Sequence, residues 1–343
     1  MKKVLIAEVA ALLVLVLVAV VVRVNVPTQG DATQPSADAL EQVTQQTTEE
    51  TQRQTQPPTE TDPPATEVFQ PTEIPTQATD PNPYNLSAKQ YFVYDSNAQR
   101  FLAINCDENA RVYPASITKL FSAFVALQHL DADTVITAGD ELSLIAEDSS
   151  IAYIQKGQRL TAAMLVEGML LPSGNDAAYI LAAAAAREAS GKPDMPPQEA
   201  IAYFVGLMNK TAKSVGLTAS HFSNPDGYHA DDHYTSCHDL SIIARLALGN
   251  QTIRSYTALK QDSVKYASGE TNSWHNTNYL IQPDSPYYRS AAIGLKTGFT
   301  DEAGNCLLSA FRENGRTLIV GVFGCPEKSG RFKDTVRLYD EFA

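Results

Sequence analysis

Residues 27–86 hold 10 of the chain's 19 prolines, 13 threonines and 10 acidic residues against one basic residue, Arg53. Such a segment cannot bury enough apolar surface to offset its chain entropy, and it reads as a disordered linker. Folding is thereby confined to residues 87–343. Sixty linker residues span about 45 Å as a coil and at most about 190 Å as polyproline helix. A plain spacer is the reading adopted, with an O-glycosylated stalk or wall-binding segment as alternatives. The linker also carries most of the acidity, −9 of the chain's net −13. With no basic surface in prospect, a nucleic-acid partner is excluded as a class.

Residues 1–26 differ again. Lys2 and Lys3 precede a run from Val9 to Val22 without a polar residue, and Arg23 closes it. A positive start before an apolar stretch reads as export targeting. The run alone has signal-peptide length, but joined to Val4–Ala7 across Glu8 it approaches bilayer-spanning length. The sequence after it, bulky and branched through Pro27, offers a signal peptidase little. The expectation is an uncleaved membrane anchor, with a cleaved signal as the alternative. Either way the lysines place the N-terminus inside and the rest on the extracytoplasmic side.

The 87–343 unit reads as strands at both ends with helices between. Tyr91–Tyr94 and Phe101–Asn105 alternate about a short break, as a hairpin does. Helical patterning covers Thr118–Leu130, Thr161–Leu171, Asp176–Ser190, Gln198–Val215 and Thr235–Leu248, with Thr235 or Ser236 able to cap the last. Ser263–Ala267, Ala291–Lys296, Cys306–Arg312 and Thr317–Phe323 read as strands. Asn314-Gly315 between the last two is a hairpin turn, and Phe332–Phe342 reads as a closing helix. The class is α+β, an antiparallel sheet completed by both domain termini with a helical subdomain inserted.

Three motifs carry chemistry. In Pro114-Ala-Ser-Ile-Thr-Lys119, one helical turn puts Ser116 and Lys119 on one face. A helix start offers backbone N–H groups to an oxyanion, and a depressed lysine is a base for a serine nucleophile. Alone, a capping serine beside a solvated lysine explains it as well. In Leu171-Pro-Ser-Gly-Asn175, Ser173 and Asn175 alternate along a loop and can enter one cleft. A turn with a helix cap is the plainer account. In Lys296-Thr-Gly298, at a strand end, a cation and a hydroxyl suit a carboxylate, and Gly298 lets a ligand backbone approach. An edge-guarding lysine is the alternative.

The three occur together, in order, on a helix start, an interhelical loop and a strand end, the trio of penicillin-binding proteins and β-lactamases. Residues 89–343 resemble the serine D-Ala-D-Ala carboxypeptidases, the low-molecular-mass penicillin-binding proteins. The phrases PASITKLFSAFVAL, LLPSGNDAA, HFSNPDGYHADDHYTSCHDL, NTNYL and GLKTGFTDEAGNCL carry the likeness. The resemblance implies a β-lactamase/transpeptidase-like fold. It implies Ser116 as nucleophile, Lys119 as general base, Ser173 as proton shuttle and Asn175 as holder of the peptide amide. It further implies Lys296 and Thr297 as carboxylate partners, and an oxyanion hole from the backbone N–H of Ser116 and of Phe299 beside Gly298. The implied partners are the D-Ala-D-Ala end of a peptidoglycan stem peptide and β-lactam antibiotics, with no cofactor. Tyr228, where the family usually has Leu, and Tyr279, where a basic residue is frequent, are departures that bear on substrate preference.

Alternatives remain in view. A β-lactamase needs a Glu for its deacylating water, and Phe204–Leu217 contains none. Glu199 just upstream is not followed by the expected pattern. A catalytically idle sensor or wall-binding module on the same fold is the other reading. His229-Ala-Asp-Asp-His233 has metal-ligand chemistry, but a solvated loop is the preferred account. No Gly-x-Ser-x-Gly elbow occurs. In the hairpin register Cys306 and Cys325 are diagonal neighbours, with free buried thiols as the default for all four cysteines. Trp274 reads as core or cleft wall.

Overall fold

The computed structural model describes residues 82–343. The expected anchor over 1–26, and the expected linker as far as residue 81, lie outside the described residues. No helix among the described residues is long and apolar enough to cross a membrane.

The central sheet has five antiparallel strands in the order β2-β1-β9-β8-β7. β1 (Gln90–Asp95) and β2 (Arg100–Ile104) form the N-terminal hairpin. β7 (Ala292–Thr300), β8 (Gly304–Glu313) and β9 (Arg316–Cys325) come from the C-terminal end. The first and last strands pair directly, Val93 opposite Val320, so the sheet is completed by both ends of the domain as expected. Asn314 (φ 50°) and Gly315 (φ 79°) make the β8–β9 turn. Two consecutive positive φ values are what a two-residue hairpin demands.

Side chains alternate across the sheet. Phe92, Leu308, Ala310 and Ile319 face the helical subdomain. Val93, Leu307, Phe311 and Val320 face the C-terminal helix α7 (Gly330–Phe342), where Phe311 stacks on Tyr339 at 4.1 Å. Both faces are therefore covered, which is why these strands read as nearly continuous apolar runs. The folded unit takes in residues before Ser87: Leu86 is buried, and the backbone N–H groups of Ser87 and Ala88 donate to Asp334 on α7.

Between β2 and β7 lie α1 (Thr118–Ala126), α2 (Ala162–Leu170), α3 (Asn175–Ser190), α4 (Pro197–Ser214), α5 (Cys237–Gly249) and α6 (Gln251–Thr257). The small pairs β3 (Val135–Thr137) with β4 (Arg159–Thr161) and β5 (Gln261–Lys265) with β6 (Thr271–His275) join them. Thr161 caps α2 and Ser236 caps α5, each through its hydroxyl. The sequence reading anticipated neither α6 nor β6, because both are short and mostly polar. Trp274 of β6 is nonetheless core: its indole N–H donates to the Ala152 carbonyl at 3.0 Å.

Two expectations need correction. Lys296-Thr-Gly298 lies inside β7, because pairing with β8 continues to Thr300 opposite Gly304. Gly298 also admits protein backbone, where the sequence reading had a ligand backbone in mind. A Cβ there would sit 2.7 Å from the Pro114 carbonyl oxygen and 3.3 Å from the Ser116 nitrogen. The edge strand β7 thus lies flush against the turn that carries Ser116. At the β8–β9 pair the register slips between Asn305 and Leu307, so Cys306 faces a bulge at Phe323 and Gly324 of β9 rather than a single partner.

Candidate active site

Ser116 lies in a single 3-10 turn, Ala115–Ile117, that runs straight into α1. Ala115 is held at φ 48°, an uncommon conformation for a residue with a Cβ. Gly227 explains how it is held: a Cβ on Gly227 would lie 1.9 Å from the Ala115 carbonyl oxygen. The Asn224–Gly227 turn and β7 therefore clamp the nucleophile's turn from two sides. Ser173, at the loop between α2 and α3, has φ 67° and is buried. Both candidate serines thus sit on or beside strained backbone that the surrounding packing enforces.

One turn along from Ser116, Lys119 is fully buried. Its Nζ donates to Ser116 Oγ at 2.8 Å and to the Asp226 carbonyl at 2.7 Å. Burial lowers its pKa to about 8, against the opposing pull of the Asp226 and Asp176 carboxylates. The neutral fraction, about a tenth at pH 7 and rising above it, makes this amine a base within reach of a hydroxyl. Beneath it, Thr118 Oγ1 pairs with His233 Nε2 at 2.8 Å. His233 Nδ1 accepts the Ser223 backbone N–H at 3.1 Å, so the proton sits on Nε2 and the ring is neutral. Burial accordingly depresses its pKa to about 4.

Ser116, Ser173, Asn175, Thr297, Gly298 and Phe299 line one cleft of about 710 Å³. The Asn175 side-chain amide donates to Ser149 Oγ at 2.9 Å and its backbone N–H to the Ser150 carbonyl at 2.8 Å. Asp176 fixes the same loop by accepting the N–H groups of Ala152 and Ile154. Across the cleft, Lys296 is buried and donates to the Thr297 carbonyl at 3.1 Å. Its pKa is driven far down by burial, then by the Lys119 and Arg331 charges. Thr297 Oγ1 meets Thr277 Oγ1 at 2.6 Å.

Several of these groups were not anticipated. Arg331, at the start of α7, reaches the cleft and is 5% exposed. Its Nη1 donates to the Gly298 carbonyl at 3.0 Å, while its Nε has no partner among the described residues. A buried guanidinium with a spare donor beside a second basic side chain has the chemistry to hold a carboxylate. Asp226 lies within Asn224-Pro-Asp-Gly227, a turn signature that marks a loop but not the lysine it serves. Arg331 had no local signal, because only the packing of α7 on the sheet brings it to β7. His229 lines the cleft mouth while His233 turns inward. The two histidines of that run thus have separate surroundings. Tyr228 and Tyr279 both line the cleft; Tyr279 stacks on Phe332 at 5.0 Å.

A buried lysine on a serine hydroxyl, an asparagine loop and a cationic strand wall define an active-serine site. The family profile described as D-alanyl-D-alanine carboxypeptidase matches residues 75–327, and the chain belongs to that family. It is 29% identical over 242 residues to D-alanyl-D-alanine carboxypeptidase DacF of Bacillus subtilis, covering 69% of this chain and 57% of that one. To the D-alanyl-D-alanine carboxypeptidase of a Streptomyces species it is 33% identical over 232 residues, covering 65% and 76%. The crystal structure of a Streptomyces DD-transpeptidase superposes with a TM-score of 0.67 at 28% identity, covering 78% of this chain and 98% of that one. A Listeria monocytogenes penicillin-binding protein in ampicillin-bound form gives 0.60 at 25%, covering 75% and 97%. The fold is that of the penicillin-binding DD-peptidases. The chain spans a little over half the length of the Bacillus relative.

Proposed function

We propose that this protein is a serine DD-carboxypeptidase that removes the terminal D-Ala from peptidoglycan stem pentapeptides. It works on the extracytoplasmic side of the membrane, tethered through residues 1–26. The observation that carries the reading is the 2.8 Å contact from a buried lysine amine to Ser116 Oγ, facing a wall that holds two more buried cations. Neutral Lys119 takes the Ser116 proton as Oγ attacks the carbonyl of the penultimate D-Ala. Backbone N–H groups of Ser116 and Phe299 receive the oxyanion. Ser173 relays a proton to the leaving amine, and Asn175 holds the peptide amide. Arg331, Lys296 and Thr297 bind the terminal carboxylate, whose negative charge relieves the repulsion among the cations. Water then hydrolyses the acyl-enzyme, and β-lactams enter the same path by acylating Ser116.

The test is direct. Purified protein labels covalently with a fluorescent penicillin and releases D-Ala from a pentapeptide, and Ser116→Ala abolishes both. Labelling without D-Ala release marks an idle penicillin-binding module instead, and rapid turnover of a chromogenic cephalosporin marks a β-lactamase. Structural relatives described as a DD-transpeptidase favour one variant, in which an amine rather than water resolves the acyl-enzyme. Adding a D-amino acid acceptor and looking for exchanged product decides it.

A further inference from the structure

Two cysteines outside the cleft are placed for chemistry that the peptidase reaction does not use. Cys106 follows β2 in an irregular loop and is partly exposed, whereas Cys237 is the buried first residue of α5. Their Sγ atoms lie 3.7 Å apart, although the residues are 131 positions apart in sequence. Backbone hydrogen bonds keep the two segments together. Val112 and Thr235 exchange N–H···O bonds at 2.8 and 2.9 Å, and the His238 N–H donates to the Glu108 carbonyl at 2.9 Å. A disulfide needs the sulfurs near 2 Å, so the gap to close is about 2 Å. Cys106 sits on a loop without ladder bonds and can supply that movement, while Cys237 is fixed at a capped helix start.

Cys306 and Cys325 make an internal contrast. Both are buried in the sheet, and their sulfurs approach oxygen atoms: Cys306 the Ala303 carbonyl at 3.4 Å, Cys325 the Asp334 carboxylate at 3.7 Å. Burial pushes their thiols up to about 11 and about 12. At Cys106 the hydrogen bond with Cys237 lowers the pKa, which favours thiolate on the accessible member of the pair.

We propose that Cys106 and Cys237 form a disulfide site, cross-linked on meeting a small-molecule disulfide. The Cys106 thiolate attacks one sulfur of the oxidant, forming a mixed disulfide and expelling one thiolate. The Cys237 thiolate then attacks the Cys106 sulfur, closing the protein disulfide and expelling the second thiolate. The oxidant is reduced to two thiols, which take up the two protons the cysteines lose. The closed loop contains Ser116, Lys119, Ser173, Asn175 and Asp226, whereas Lys296, Thr297 and Arg331 lie outside it. Oxidation therefore staples the helical side of the cleft to the β1–β2 hairpin and leaves the strand side untouched. Loop-closure arithmetic gives a rise in thermal midpoint of roughly 10 °C.

The full-length protein is incubated with oxidised glutathione, acid-quenched, unfolded, alkylated and digested without reductant for mass spectrometry. The expected product is one peptide pair joined through Cys106 and Cys237, with Cys306 and Cys325 alkylated. A thermal midpoint above that of the reduced protein accompanies it, and penicillin labelling, where the reduced protein shows it, is retained. Cys237→Ser should stop at a glutathione adduct on Cys106 and show no thermal gain. Four alkylated cysteines, a persistent glutathione adduct in the unsubstituted protein, or any other pairing overturns the proposal. The map of the unsubstituted protein decides this even if the variant does not fold.

Discussion

The two walls of the cleft differ in how completely the protein satisfies them. On the helical wall nearly every functional group already has a protein partner. Lys119 holds Ser116 and the Asp226 carbonyl, Asn175 holds Ser149, and Asp176 holds the neighbouring loop. On the strand wall two buried basic side chains sit beside each other, and burial together with the Arg331 charge disfavours the charge on Lys296. Lys296 bonds to its neighbour's carbonyl, and Arg331 keeps one N–H without a partner among the described residues. The first wall is organised before ligand arrives, as a site that must perform proton transfer requires. The second is left costly in a way that an anion relieves. On the proposed reading, nucleophile and base belong to one wall and carboxylate binding to the other, and substitutions should separate the two.

The largest effect falls on the helical wall. Lys119→Ala should slow acylation by a benzylpenicillin probe by about a thousandfold, because the serine loses its base. In the unsubstituted protein kcat/KM should rise with pH through about 8. The sign comes from the cause: burial favours the neutral amine, and the neutral amine, present above that value, is the active form. A profile flat across that region contradicts the assignment of the base.

Arg331→Leu tests the other wall, with a loss of roughly 10–100-fold expected in kcat/KM for a D-Ala-D-Ala peptide, mostly in KM. The discriminating control is the same peptide with its C-terminal carboxylate converted to an amide. If Arg331 recognises the carboxylate, the amide should react equally slowly with both proteins. An equal loss on both substrates would instead mean that Arg331 supports β7 through the Gly298 carbonyl.

The same division explains what could be read from the sequence. Ser116 and Lys119 were legible because a helix relates residues three apart by geometry alone. That both ends of the domain complete one sheet was legible because strands lie at both ends and Asn314-Gly315 joins two of them. The second approach at Gly298 was not legible, because its neighbour there, the Pro114 carbonyl, is far away in sequence. Arg331 was missed for the same reason: nothing near it announces a ligand. His233 was weighed as a metal ligand from its spacing to His229. Its actual partners, Thr118 and Ser223, belong to other segments. Preorganised local chemistry leaves a pattern, whereas recognition assembled from distant segments does not.

His233 offers a stability test of the helical wall. It is buried and neutral, with a pKa lowered from 6.5 to about 4. The unfolded chain binds the proton more readily, so stability is full above 6.5 and falls as pH drops toward 4. The loss attributable to this ring is about 2 kcal/mol at pH 5 relative to pH 8. Urea unfolding at the two pH values, for the unsubstituted protein and His233→Gln, isolates it. The variant should lose less on acidification, and equal losses would remove His233 from the account.

The smallest effect concerns the rim. Tyr228 donates its hydroxyl to Asp148 at 3.1 Å. Tyr228 comes directly after the turn that binds Lys119, and Asp148 precedes the serines that bind Asn175, so the contact ties the two supports of the helical wall. It is exposed, and solvent competes for both partners. Tyr228→Phe should therefore change acylation by less than about threefold. Tyr228→Leu also removes the ring from the cleft mouth. It should favour acylation by β-lactams with bulky side chains over small ones, read as a ratio of second-order rate constants. If Phe alters acylation as strongly as Leu does, the hydroxyl rather than the ring shapes the rim, and the helical wall depends on this exposed tie more than its buried bonds imply.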